Sequence, residues 1–230
     1  MSDVPENLEP KIDDNIQIAL ISLINLIPAI GGSISSVISG CSQIRYKKRM
    51  YEFLQGMEID FRNTAKKIRE DFVTKEDFYE LFGIALEKAV KSREEEKRTA
   101  FRKILLNASI EESATYNELE SFLDLLDQMQ GLHIQLLKIL KDPRKYDAEN
   151  DNLLKNGTGG SSTSQKEILD TLLPNWDKGL LSDVLIDLVE KFRLARNIGY
   201  SSAMVTAGGY EHIENRLTEK GIRFARFLME

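Results

Sequence analysis

Apolar residues recur every three or four positions along most of the chain, which is the spacing of one buried face of an α-helix. Met50, Leu54, Met57, Phe61, Ala65, Ile68 and Phe72 step by four, three, four, four, three and four. They predict one long amphipathic helix from about Gln43 to Phe72. Thr74 then starts a second helix, with Glu76 and Asp77 in the positive first turn and Phe78, Leu81, Phe82, Ala85, Leu86, Ala89 and Val90 inside. A charged run, Lys91 to Arg98, leads to Phe101, Ile104, Leu105 and Ala108, in a continued helix or a close helical neighbour. Thr115 and Glu118 have the spacing of a capping box and open a helix that buries Phe122, Leu123, Leu125, Leu126 and Met129. Gly131 breaks it, and Leu132, Leu136, Leu137 and Leu140 carry the next helix as far as Pro143. Ser164 and Glu167 form a second capping box before Ile168, Leu169, Leu172 and Leu173, where Pro174 ends the helix. Val184, Leu185, Leu188, Val189, Phe192 and Ala195 define another helix. Thr218 caps a last one through Ile222, Phe224, Ala225 and Leu228.

Three stretches depart from this rhythm. Thirty consecutive residues, Asn15 to Ile44, carry no charge. Pro28 and Gly31-Gly32 divide that run into two halves, each too short to cross a bilayer core alone. Gly32, Ser36 and Gly40, and beside them Gly31, Ser35 and Ser39, repeat every four residues and allow close helix packing. A helical hairpin buried by the long amphipathic helices is the reading adopted. Residues 145–165 are polar and contain Gly157-Thr-Gly-Gly160 and Ser161-Ser-Thr-Ser164, the composition of a mobile loop. Ile198 to Ile213, with Gly199, Gly208, Gly209, Tyr200, Val205 and Tyr210, reads as a short β-hairpin. The expected organisation is a flexible tail over 1–14, a helical domain over 15–114, and a second domain over 115–230 that contains the loop.

Composition narrows the class of function. The chain has 230 residues, 42% hydrophobic and 30% charged, with a formal net charge of -6. That is a globular balance, and its acidity disfavours a broad nucleic-acid-binding surface. A single cysteine, Cys41, allows no intrachain disulfide and fits a reducing compartment. The acidic N-terminus has no basic region of the kind that opens a secretory signal, so a cytoplasmic location is expected.

Chemistry-bearing motifs are scarce. The two histidines, His133 and His212, belong to no cluster with metal-ligand spacing, and His133 beside Leu132 and Ile134 reads as a packing or surface residue. The glycine-rich stretch at 157–160 lacks the Gly-Lys-Ser/Thr ending of a phosphate-binding loop. Carboxylates are abundant but fall between apolar positions, on solvent faces. No catalytic residue, metal or cofactor is expected, and the protein is read as not an enzyme.

The order of helices, glycine-containing hairpin and then Leu217-Thr218-Glu-Lys-Gly221 resembles a winged-helix domain over about Gly131 to Glu230. In that family the hairpin is the wing, and a Leu-Thr-x-x-Gly element joins its last strand to a final helix. The loop after the first helix is longer than such domains normally need. Ile27-Pro-Ala-Ile-Gly-Gly32, the basic long helix and Phe101-Arg-Lys-Ile-Leu-Leu-Asn107 resemble a loose group of bacterial proteins, some associated with abortive-infection defence against phage. That group brings no catalytic residues with it.

The fold class expected is therefore mainly α, a helical domain followed by a winged-helix-like domain with one small β-hairpin. A protein-interaction or regulatory role is favoured, with a protein partner ahead of the alternatives and self-association left open. Residues 116–230 hold 14 Lys and Arg against 18 Asp and Glu, a balance of -4 that suits a protein better than phosphates. The first alternative is association with a membrane, or conditional insertion, through residues 16–44. Arg45, Lys47, Lys48 and Arg49 would then lie against anionic lipid. The second is DNA binding by a recognition helix over Ser182 to Arg196, with Lys191, Arg193, Arg196 and Arg216 as phosphate contacts. Asp183 and Asp187 near the start of that helix would repel phosphate.

Overall fold

The computed structural model describes residues 17–19, 21–24, 44–64, 68–73, 75–111, 114–154, 164–199 and 210–229. Among them the protein is mainly α-helical, with no strand and one isolated antiparallel β-bridge, between Ala195 and Leu217. Most of the uncharged segment 15–44, and residues 200–209 of the expected hairpin, lie outside the described residues. The chain divides into two compact units between Gln128 and Met129.

The first unit is built from α1 (Ile44–Thr64), α2 (Glu70–Val73), α3 (Glu76–Lys91), α4 (Glu95–Ile110) and α5 (Tyr116–Gln128). The face read from the spacing is the buried one: Met50, Leu54, Met57 and Phe61 are inside, joined by Phe53. The helix is not continuous to Phe72, however. Its described part runs to Thr64, and Ile68 and Arg69 are non-helical before the short α2. The Arg69 amide donates to the Ser109 carbonyl at 2.8 Å, so a bond to α4 replaces the helical one. Phe78 is the hub of the aromatic core, with ring centroids 6.3 Å from Phe61, 5.5 Å from Phe72 and 6.4 Å from Phe82. The charged run at 91–98 is a break, with Ser92 to Glu94 non-helical and α4 starting as a separate helix. Lys88 of α3 reaches both Asp124 and Asp127 of α5 at 3.1 Å. Burial opposes its charge, but those two bonds outweigh it and hold the ammonium above its ordinary range. The helix that opens at Thr115 thus packs in the first unit, while the sequence reading starts the second domain there.

The second unit contains α6 (Gly131–Lys141), α7 (Pro143–Glu149), α8 (Gln165–Leu172), α9 (Lys178–Ile186), a π-helical turn (Asp187–Lys191), a 3-10 turn (Tyr210–His212) and α10 (Glu219–Met229). At α7, α8 and α9 a side chain before the first turn accepts from one of the helix's free amides. Asp142 Oδ1 accepts from the Lys145 amide at 2.9 Å with Pro143 in the first turn, and Asp177 Oδ1 accepts from Leu180. The capping box read at Ser164 is present: its hydroxyl accepts from the Glu167 amide at 3.2 Å, and Glu167 accepts from the Ser164 amide at 2.9 Å.

Residues 145–149, assigned to a mobile loop, belong to α7, and Asp147 is fully buried. Its carboxylate accepts from the Leu154 amide at 3.0 Å and from the Tyr210 hydroxyl at 2.6 Å, an internal hydrogen-bonded anchor within an otherwise largely exposed polar run. Residues 155–163 of that stretch lie outside the described residues.

Candidate functional site

The second unit sets out the region around the expected recognition helix with a specific set of bonds. α9 passes into a π-turn, where the Phe192 amide donates to Asp187 O at 2.8 Å. The Leu188 carbonyl then accepts from both Leu194 and Ala195, which turns the chain into an extended segment. Arg193 takes a left-handed backbone with φ 55° at that corner. The segment pairs with residues 216–218: the Arg196 amide donates to Arg216 O at 2.8 Å, and the Thr218 amide donates to Leu194 O at 3.0 Å. Thr218 also locks the start of α10. Its hydroxyl accepts from the Gly221 amide at 3.0 Å and donates to Arg193 O at 2.9 Å.

The exposed face of α9 and the π-turn carries Asp183, Ile186 and Glu190, at helical spacing. Ile186 is 51% exposed, while Leu181, Val184, Leu185 and Leu188 fill the core behind it. Asp187, between them, sits half-buried and turns toward His133, whose Nε2 lies 3.4 Å from Asp187 Oδ2 without the alignment of a hydrogen bond. His133 is buried, stacks edge-on to Phe192 at 5.4 Å, and caps its own helix: its Nδ1 accepts from the Gln130 amide at 3.1 Å. An accepting Nδ1 places the proton of the neutral ring on Nε2. Burial pushes this imidazole below its ordinary range, against the pull of Asp187.

The four basic residues read as phosphate contacts are partly gathered. Lys191, Arg193 and Arg196 are exposed at the end of the helix and on the paired segment that follows. Lys191 Nζ lies 4.8 Å from the Phe192 ring centroid. Arg216 is half-buried, and its Nε donates to His212 O at 3.1 Å, so its Nε is committed to the fold. Asp183 and Glu190 are exposed and occupy the outward helical face.

The four residues read as lipid-flanking begin α1. Arg45 and Lys48 are exposed, and Lys48 lies 3.9 Å from Glu52. Arg49 is structural: its Nη1 donates to Val90 O at 3.2 Å and Lys91 O at 3.3 Å, satisfying the last carbonyls of α3. Lys47 is half-buried. No described helix is long and apolar enough to cross a membrane.

Two features were not legible in the sequence. Ile186 follows the core positions Val184 and Leu185, and only its angular position on the helix separates it from them. Asp147 lies in a polar run with nothing to mark it as buried. Around it, Arg144 stacks 4.9 Å over Tyr210 and its Nε donates to Glu214 Oε1 at 2.7 Å. Burial and the bond to Asp147 push the Tyr210 phenol up to about 12. Among the described residues, no three His, Cys, Asp or Glu side chains come together as metal ligands. The chain matches no protein-family model, and no curated protein or solved structure matches it significantly.

Proposed function

We propose that the protein is a non-enzymatic interaction or regulatory protein, and that the second unit is a winged-helix-like module that binds a protein partner through the exposed face of α9. The observation that carries this reading is the Asp183–Ile186–Glu190 face. A half-exposed isoleucine between carboxylates supplies an apolar anchor with an acidic surround, which suits a polypeptide and repels a phosphate backbone. The winged-helix part of the reading is supported by the antiparallel pairing of residues 194–196 with 216–218 and by Thr218 capping the helix that follows. The resemblance of the first half to proteins of abortive-infection defence supports a setting in phage defence.

The test is affinity purification from the source cell with wild-type protein and with Ile186→Asp. The reading expects a polypeptide retained by the wild type and lost from a variant of unchanged thermal stability. Equal recovery with both, or duplex DNA recovered in its place, would overturn it.

A second reading rests on Ile18 and Ile21, which are 62% and 59% exposed while Ala19 and Leu23 are buried. An apolar ridge in an uncharged segment supports contact with a membrane surface. Flotation with anionic vesicles, lost in an Ile18→Ser, Ile21→Ser variant, is its expected outcome; wild-type protein that stays with the soluble fraction would dismiss it.

A further inference from the structure

We infer that a cleft in the second unit, built around Trp176, is a binding site for an extended, proline-containing peptide flanked by a basic residue. The cleft has a volume of about 430 Å³ and lies between the middle of α6 and the C-terminal ends of α7 and α8. Its flat surfaces are the Trp176 indole, the Tyr146 ring and Pro174, and its polar edge is formed by Gln135, Asn150 and Asn175. The indole is held in place, because Trp176 Nε1 donates to Gln135 Oε1 at 3.0 Å. Asn150 Nδ2 donates to Tyr146 O at 2.7 Å, which anchors a carboxamide beside the tyrosine.

Among the described residues the lining contains no lysine, arginine or histidine, so these offer phosphates, nucleotides and carboxylates no counter-charge. Among the described lining residues the one carboxylate is that of Asp151, at the turn after α7. A fixed indole beside a tyrosine and neighbouring carboxamides matches a polyproline-type strand, whose rings pack on flat apolar faces and whose carbonyls lack internal hydrogen bonds. That carboxylate at one end favours a Lys or Arg beside the proline segment. The site is separate from the exposed Asp183–Ile186–Glu190 face, none of whose residues lines the cleft.

Trp176 is the only tryptophan in the chain, so intrinsic fluorescence reports on this cleft directly. Full-length protein is titrated with a decaproline peptide, with the same peptide carrying a terminal arginine, and with a neutral glucan oligosaccharide. The inference expects a saturable change in Trp176 emission with both peptides. Asn175→Arg, an exposed position that would crowd and charge the cleft, should weaken binding at least tenfold. Asp151→Asn should cost only the arginine-bearing peptide, by roughly three- to fivefold, the worth of an exposed ion pair. Asparagine also tolerates the left-handed backbone of Asp151, φ 66°, so this variant should keep its fold. Ile186→Asp should leave every titration unchanged, which separates this site from the interaction face. No saturable change with either peptide, a response to the oligosaccharide alone, or peptide binding unaltered by Asn175→Arg would each overturn the inference.

Discussion

Gly221 lies directly against the backbone carbonyl of Leu194, in the space where any other residue would place its Cβ. That carbonyl is the one that accepts the Thr218 amide, so the glycine permits both the pairing of residues 194–196 with 216–218 and the start of α10. Leu217, Thr218 and Gly221 thus act as one joint: a buried leucine, a capping threonine and a glycine that lets two backbones touch.

Gly221→Ala should therefore destabilise the protein by about 3 kcal/mol, the upper range for an added methyl group in a packed site, because the obstacle is backbone. Gly56→Ala is the matched control. There a Cβ would meet Arg102 Cζ at 2.5 Å, the end of a flexible side chain. The guanidinium can swing away from Asp60, and alanine is the better helix former, so the net change should stay within about 1 kcal/mol. Urea denaturation of both variants checks the contrast, which two equal losses would contradict.

The His133 imidazole supplies a pH dependence. Its folded-state pKa is lowered from the ordinary 6.5, so the unfolded chain binds the proton more readily. Its contribution to stability is present above pH 6.5 and is lost as pH falls from there through the lower folded value. Protonation would also put a proton on Nδ1, where the Gln130 amide donates. His133→Asn keeps an acceptor near that amide and cannot titrate. Its unfolding midpoint should vary less between pH 7 and pH 5 than that of the wild type. Identical pH profiles would rule out this role.

The buried Asp147 carboxylate depends on Tyr210. Tyr210→Phe leaves one of its oxygens without the donor and should cost about 1–3 kcal/mol. The phenol itself should resist ionisation to about pH 12. As a raised acid, it contributes stability that is present below pH 10 and lost as pH rises toward 12. Absorbance at alkaline pH should show a late-titrating tyrosine component that is reduced in Tyr210→Phe and retained in part through Tyr116, also raised to about 12.

What was legible in the sequence follows from periodicity. The buried faces of α1 and α3, the separate start near Thr115, the capping box at Ser164 and the cap at Thr218 all rest on local spacing, and the structure contains them. The break at Ile68 and Arg69 was hidden because Ile68 and Phe72 continue the same apolar spacing, while the choice between a helical bond and the Arg69–Ser109 bond is made by α4. The burial of Asp147 was hidden for the same kind of reason: its partners, Leu154 and Tyr210, lie 7 and 63 positions away. The dual use of the basic residues was not legible either. Arg49 and Arg216 donate to backbone carbonyls, while Arg45, Lys48, Lys191, Arg193 and Arg196 remain exposed.

The interaction face is tested most directly by photocrosslinking in the source cell, with a photoreactive amino acid placed in turn at positions 183, 186, 190, 193 and 196. The account predicts crosslinks to one polypeptide from 183, 186 and 190, strongest from 186, and none to nucleic acid. Crosslinks to DNA or RNA from 193 and 196, with 186 silent, would contradict it and assign the surface to the basic end of the helix instead.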